Sequence, residues 1–330
     1  MIRRLLPFLT LIVLFVFLAV ASPYFLTSTN LSSVVRQTAV INTMALGMTM
    51  IIVAGGIDLS VGAILAFSGF VGTMIIERGI SVSFTWLRIG SLQFDQRWVI
   101  LESGSIVAGI AVGLVAGLFW GFVNGFLTTR LNINPFIVTL GTLGIVRGLT
   151  LIISNGLPVH RVPQEFSYLG AGNLLGVPFV LWILVVCAVV THVLLEHTRL
   201  GRYAFAIGSN TDAAFYTGVP VAFHTIAVYA ISGLLCGLAG MIEASRLMTG
   251  QPTAGQGYEL QVIAAVVIGG GSLRGGEGSV IGTLIGAFIM GLLSNGSDLL
   301  GISPYLQQAI IGAVIILAVS VDELRKRRLG

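Results

Sequence analysis

Lysine occurs once in this chain, as Lys326 in the C-terminal tail. A phosphate-binding P-loop needs a lysine directly after its glycine-rich turn, where the ammonium reaches the β- and γ-phosphates. Hydrolysis of ATP by that route is therefore excluded. Charge of either sign is equally scarce: Asp, Glu, Lys and Arg make up 9% of the 330 residues, against roughly a quarter in a soluble domain. The two cysteines, Cys187 and Cys236, lie in different apolar runs, where they act as small apolar side chains and imply neither a disulfide nor a metal. Histidine is nearly as rare. The closest approach to a zinc-protease pattern is His192, Glu196 and His197, whose histidines stand five apart and off one helix face. There is no GxSxG nucleophile turn, so no intramembrane enzyme has a complete set of nucleophile, base and metal ligands. The chain is read as a non-enzyme, with no cofactor and no metal of its own.

What is abundant is apolar sequence. Hydrophobic residues reach 55%, in runs long enough to span a bilayer at about 20 residues each, separated by short loops that hold nearly all the charge. Strands of a transmembrane barrel would alternate apolar and polar residues, and these runs are apolar all round. The fold is expected to be all-α: a polytopic integral membrane protein forming a single domain over residues 1–330. About ten segments are expected, near Leu5–Ala21, Val34–Ala54, Val61–Ile76, Ser105–Leu127, Pro135–Ile153, Pro178–Leu195, Thr225–Leu247, Gln261–Gly270, Val280–Asn295 and Tyr305–Ser320. The eighth is short for a full span and reads as broken or re-entrant, which requires protein or water around the freed backbone. Glycine, with 43 copies, recurs at helical spacing in Gly109, Gly113 and Gly117 and in Gly282 and Gly286, a pattern of close helix packing.

The basic residues set the orientation. With both termini inside, Arg3, Arg4, Arg130, Arg199, Arg202, Arg274, Arg325, Lys326, Arg327 and Arg328 are all cytoplasmic. The outer loops carry Arg78, Arg88, Arg97 and Arg161, matched by Glu77, Asp95, Glu102 and Glu165. This is the positive-inside bias, and it accounts for the net charge of +4 without nucleic acid. Arg3 and Arg4 followed by an apolar run and Ala19–Val20–Ala21 fit either a retained first span or a cleavable signal peptide, and the retained span is favoured. The longest outer loop, about 77–104, holds Trp86 and Trp98 as candidate interfacial anchors. SVGAILAF from Ser60 faintly repeats as SVIGTLIGAF from Ser279.

Ionisable groups within apolar sequence are few. Glu243 and Arg246 stand three apart and can neutralise each other on one helix face, and Arg147 lies in the fifth segment. In GGIDLSVG, Gly55 to Gly62, the glycines permit a tight connection, and Asp58 and Ser60 can bond the amides it exposes. Two readings stand: a turn whose aspartate caps the third helix, or a broken helix beside a translocation path. GGGSLRGGEGS, Gly269 to Ser279, is a second glycine-rich break with Arg274 and Glu277 on the cytoplasmic side, read as a structural turn that a cytosolic partner could touch.

The longest polar interruption runs from His197 to Val221. Inside it Asn210 can cap a two-turn helix, Asp212 sits in the first turn where the dipole favours an anion, and Gly218 stands where helices end. Helices below roughly 12 residues are marginal alone, so Thr211 to Thr217 is expected to need a docking surface.

GGIDLSVG, NPFIVTLGTLGIVRGL from Asn134, HTRLGRYAFAIGSNTDAAFYTGV from His197 and QPTAGQGYELQVIAAVVIGGGSLRGGEGSVIGTLIGA from Gln251 together resemble the permeases of bacterial ABC sugar importers, and among them the ribose-type monosaccharide permeases. Branched-chain amino-acid and nucleoside permeases are more distant relatives, and their solutes are alternatives, as is a self-contained secondary transporter. The resemblance covers nearly the whole chain. It implies a multi-pass protein of the bacterial inner membrane that pairs with a second permease copy, identical or not. It also implies a cytosolic ABC ATPase that binds the ATP, and a periplasmic or lipid-anchored sugar-binding protein. The segment Ser209, Asn210, Thr211, Asp212, Ala213, Ala214, Phe215, Tyr216, Thr217 and Gly218 would then be the coupling helix. The outer loop from Trp86 to Ser103 is longer than this family usually carries. Polar residues in or beside spans, Asn42, Thr43, Thr49, Asp58, Asn124, Thr139, Thr142 and Asn295, are candidates to line the path, and each has interhelical hydrogen bonding as its alternative.

Overall fold

A computed structural model of the chain describes residues 2–89, 92–101 and 104–327, with side chains outside 2–6, 80–101, 318–319 and the residues after 320. Thirteen α-helices follow in order: α1 (Ile2–Ala21), α2 (Ser28–Val53), α3 (Val61–Arg78), α4 (Ile106–Arg130), α5 (Pro135–Ser154), α6 (Tyr168–Ala171), α7 (Phe179–His197), α8 (Arg199–Ser209), α9 (Thr211–Tyr216), α10 (Val221–Leu247), α11 (Tyr258–Ile268), α12 (Val280–Leu299) and α13 (Pro304–Arg327). Each of the ten apolar segments falls on one of these helices, overrunning it by at most two residues. Six helices, α3, α4, α5, α7, α10 and α12, are long and apolar enough to cross a membrane among the described residues.

Two departures from the sequence reading have plain physical causes. The stretch between α3 and α4 is an antiparallel hairpin, β1 (Ile80–Ile89) against β2 (Leu92–Leu101), with register irregularities between Ile80 and Ser81 and between Thr85 and Leu87. The side chains of Trp86 and Trp98, and those of the charged residues on this hairpin and at both chain ends, lie outside the described residues. Second, α2 begins at Ser28, six residues before the apolar run, because Thr27 caps it by accepting from the Asn30 amide at 3.3 Å. A hydroxyl cap extends a helix into polar sequence that hydropathy alone would leave as loop.

α2 is the axis of the bundle. Every residue from Thr38 to Val53 is buried, and α10, α12, α7 and α11 pack around it. α4 and α10 form the tightest pair. A methyl on Gly117 would meet the Gly237 amide nitrogen at 2.8 Å, and one on Gly121 would meet Gly233 Cα at 2.9 Å. Glycine is what lets the two backbones approach this closely, which is the packing its spacing implies. Gly282 and Gly286 do the same against Gly269 and Ala265 of the preceding segment. α4 leaves Val107, Val115, Phe119, Phe122 and Phe126 exposed, and α5 and α7 also expose large apolar side chains. So large an apolar surface suits lipid. At the chain start, Leu18 and Phe25 bury against Leu292, and Gly296 of α12 faces Leu18.

The charged residues inside apolar sequence are paired. Arg246 forks onto Glu243, with Nε and Nη2 donating at 3.0 and 2.9 Å, and the Tyr258 hydroxyl donates to the same carboxylate at 3.4 Å. Arg147 donates from Nη1 to the carbonyls of Pro252 and Ala254, both at 2.9 Å. These bonds tie α10 and α5 to α11 and the loop that enters it; α11, at 11 residues, is too short to span and is buried from Val262 to Val267.

Candidate functional site

The polar interruption after α7 is helical for most of its length. α8 buries Gly201, Ala204 and Ile207, a stripe at spacing three, and presents Arg199 and Arg202 outward or partly so. Asn210 breaks the helix in extended conformation, and its side-chain Oδ1 accepts from the Ala213 amide at 2.9 Å to start α9. At the other end Gly218 adopts φ +83°, Gly218 N donates to Phe215 O at 3.0 Å, and Val219 N donates to Ala214 O at 3.1 Å. That pair of bonds is a Schellman closure, which only a residue free to adopt positive φ completes without strain. α9 is thus capped at both ends. Ala214 is its buried contact, and it leans on α8 and the start of α10. Part of the support that a six-residue helix requires is therefore internal. Its other face is open: Phe215 is 66% exposed and Tyr216 85% exposed, side by side on a rigid turn.

A second constellation sits at the GGIDLSVG break. Asp58 is fully buried, and its Oδ1 accepts from the Ser60 amide at 2.8 Å and the Ser60 hydroxyl at 2.6 Å. Asn124 of α4 donates from Nδ2 to Ser60 Oγ at 2.8 Å and to Asp58 Oδ2 at 3.4 Å. Tyr229 of α10 donates its hydroxyl to the Ile57 carbonyl at 3.0 Å, and Thr139 of α5 comes within 3.5 Å of that carbonyl. The N-cap of α3 is Ser60, with no side-chain cap bond. Asp58 therefore does not cap the third helix directly; it holds the turn shut and ties it to α4.

The whole-chain comparisons decide the family. A family model described as "Branched-chain amino acid transport system / permease component" matches residues 30–319. The ribose import permease protein RbsC of Escherichia coli (strain K12) is 42% identical over 96% of this chain and 93% of its own length. RbsC of Bacillus subtilis (strain 168) is 40% identical over 97% and 92%, and the D-allose transport system permease protein AlsC of E. coli (strain K12) is 34% identical over 96% and 90%. The chain belongs to this permease family. No solved structure matches it.

Within this permease the candidate path residues do not form one group. Asp58, Asn124 and Thr139 meet at the break just described. Asn42 and Thr43 bond their own helix, at the carbonyls of Thr38 (3.0 Å) and Ala39 (2.8 Å). Thr49 joins Thr283 of α12 at 2.6 Å, and Thr142 is buried on α5. Asn295 exchanges side-chain bonds with Asn30 at 2.9 and 3.2 Å, holding α12 to the start of α2. The sequence reading named Ser60 at the break but missed Tyr229 and Asn30 as members of these clusters. Tyr229 left a usable signal, since a tyrosine in an apolar span needs a partner for its hydroxyl.

A cleft of about 670 Å³ opens between the ends of α2 and α4, the start of α10 and the inner side of α9. Tyr229 lines it, as do Thr128, Arg130, Thr211, Phe215 and Phe223. The permease thus has its capped helix and its buried break on two sides of one opening.

Proposed function

We propose that this chain is the membrane subunit of an ATP-driven monosaccharide importer, which forms the translocation path and is driven by a separate ABC ATPase docked on α9. The carrying observation is the match to ribose and allose permeases over at least 96% of the chain. The L-arabinose permease AraH of Azospirillum brasilense, 37% identical, adds a second pentose to ribose, and allose is a hexose, so the solute class proposed is pentoses and hexoses. With ten segments and both termini cytoplasmic, the basic residues put α8 and α9 on the ATPase side. The hydrolysis site belongs to the partner, and this chain contributes no cofactor.

The mechanism is alternating access. ATP closes the ATPase pair, α9 moves with it as a rigid capped element, and the path switches the side to which it opens. A sugar-binding protein outside selects the solute, so the path makes only weak contacts. A second permease copy completes the path in the inner membrane. The test is solute uptake by cells expressing the intact importer, with labelled ribose, allose, arabinose, leucine and a nucleoside compared. One of the sugars is expected to enter at least about tenfold faster than the amino acid or nucleoside, a margin typical of built polar recognition. Preferential entry of leucine or the nucleoside would remove the sugar assignment.

A further inference from the structure

Three glycine-rich turns that are far apart in sequence meet in one place, directly behind α9. Gly208, in the last turn of α8, faces the carbonyl of Val53 at the end of α2, and a methyl on it would also meet the Gly276 amide nitrogen at 2.6 Å. Gly276 donates its amide to that same Val53 carbonyl at 2.9 Å. Gly275, at φ +87°, faces Gly208 O at 2.6 Å and Gly55 Cα at 2.8 Å from its missing Cβ, and Gly276 faces Ser209 Cα at 3.1 Å. Around Gly208 and Gly275 backbone lies against backbone, with no side chain between to yield; at Gly276 the Ser209 hydroxyl comes nearest, 2.5 Å from the missing Cβ.

Consider what each strand of this junction leads to. Two residues past Gly208 is Asn210, the cap of α9. Three residues past Gly55 is Asp58, the anchor of the buried break. Three residues past Gly276 is Ser279, which caps α12 by accepting from the Gly282 amide at 3.1 Å. Side-chain contacts relax by rotamer changes, whereas closely packed backbone passes on displacement with little loss.

We infer that Gly208, Gly275 and Gly276 are positioning residues for transport, which weld the α9 entry to the α2–α3 break and to the α11–α12 turn so that the three move as one body. This rests on the reading of α9 as the ATPase-docking helix, and it assigns what α9 moves. It also gives the second glycine-rich break, GGGSLRGGEGS, a mechanical role beyond the turn read from the sequence.

The test uses the whole importer, with binding protein and ATPase, in proteoliposomes. Gly208→Val and Gly275→Ala are each expected to leave the ATPase co-purifying at normal stoichiometry. Stimulation of ATP hydrolysis by the loaded binding protein should fall about tenfold, within the usual range of a coupling between sites. Tyr216→Asp, in contrast, should release the ATPase. Normal stimulation in both glycine variants would overturn the weld while leaving the docking reading in place; an ATPase still bound and stimulated in Tyr216→Asp would overturn docking itself.

A second variant covers the case in which the glycine variants fail to fold. A Cβ on Gly278 would stand 2.7 Å from Val53 Cγ2, so the pair Val53→Cys and Gly278→Cys, with Cys187 and Cys236 replaced by alanine, can be joined by oxidation. Transport by the cross-linked importer is expected within about twofold of the reduced form, because a single body tolerates an internal tie. Transport lost on oxidation and regained with reductant would show that the junction opens during the cycle, and would overturn the inference.

Discussion

Aspartate in place of Tyr216 or Phe215 is expected to abolish solute uptake and the stimulation of ATP hydrolysis, while the chain still inserts and accumulates in the membrane. Tyr216 is 85% exposed and Phe215, at the edge of the cleft, 66% exposed, and the buried contact of their helix is Ala214. The caps do not involve either side chain: the Asn210 side chain holds the first turn and Gly218 closes the last. Surface substitutions clear of caps and core stay within about 0.5 kcal/mol of neutral, so the permease itself keeps its fold. At an interface the same change is severe. Loss of an aromatic anchor costs about 2–4 kcal/mol, at least 30-fold in affinity, and a carboxylate carried into the groove adds its own desolvation. Membrane fractionation, labelled uptake and ATPase assays of the purified assembly separate these outcomes. Uptake at the unsubstituted rate would sink the docking role.

The second large effect is at the buried break. Asn124→Leu removes the Nδ2 donor to Ser60 Oγ and Asp58 Oδ2, and leaves Asp58 buried with Ser60 as its remaining side-chain partner. Asn124 is a neutral donor, and removing it from a buried carboxyl that keeps its Ser60 bonds costs about 1–3 kcal/mol, the penalty of an under-satisfied buried polar group. For a chain of this size an apparent melting temperature lower by about 2 °C or more is expected, together with loss of uptake. The double variant Asp58→Leu with Asn124→Leu leaves no under-satisfied carboxyl and is expected to recover part of the stability, a coupling of at least about 0.5 kcal/mol in the cycle. Uptake should stay low in the double variant, since the turn is no longer tied to α4. Additive destabilisation by the two substitutions would show that Asp58 and Asn124 do not act as a pair.

The helices were legible because apolar runs of membrane length announce themselves, and so were the two ends of α9, where Asn210 and Gly218 carry their own chemistry. The Glu243–Arg246 pair was legible from spacing alone. α8 was not. Its buried stripe is Gly201, Ala204 and Ile207, and two of those three are too small to register as hydrophobic, so the segment reads as polar loop. The start of α2 was hidden for a related reason, since a hydroxyl cap at Thr27 rather than apolar burial sets it. The break at Asp58 was visible as a break, but its partners come from α4, α5 and α10, some 65 to 170 residues away. No local pattern encodes such a meeting. The junction of Gly55, Gly208 and Gly275 is the extreme case, because what makes it work is the absence of side chains in three separate turns.

The central claim is that this permease moves its solute only when an ATPase drives it from the side where α9 lies. The most direct measurement is labelled monosaccharide uptake into proteoliposomes containing the purified permease, with the binding protein outside, compared with and without the ATPase and enclosed ATP. Uptake is predicted only with both, and hydrolysis-deficient ATPase should give none. Concentrative or facilitated uptake by the permease without the ATPase would contradict the account and return the chain to the class of self-contained transporters.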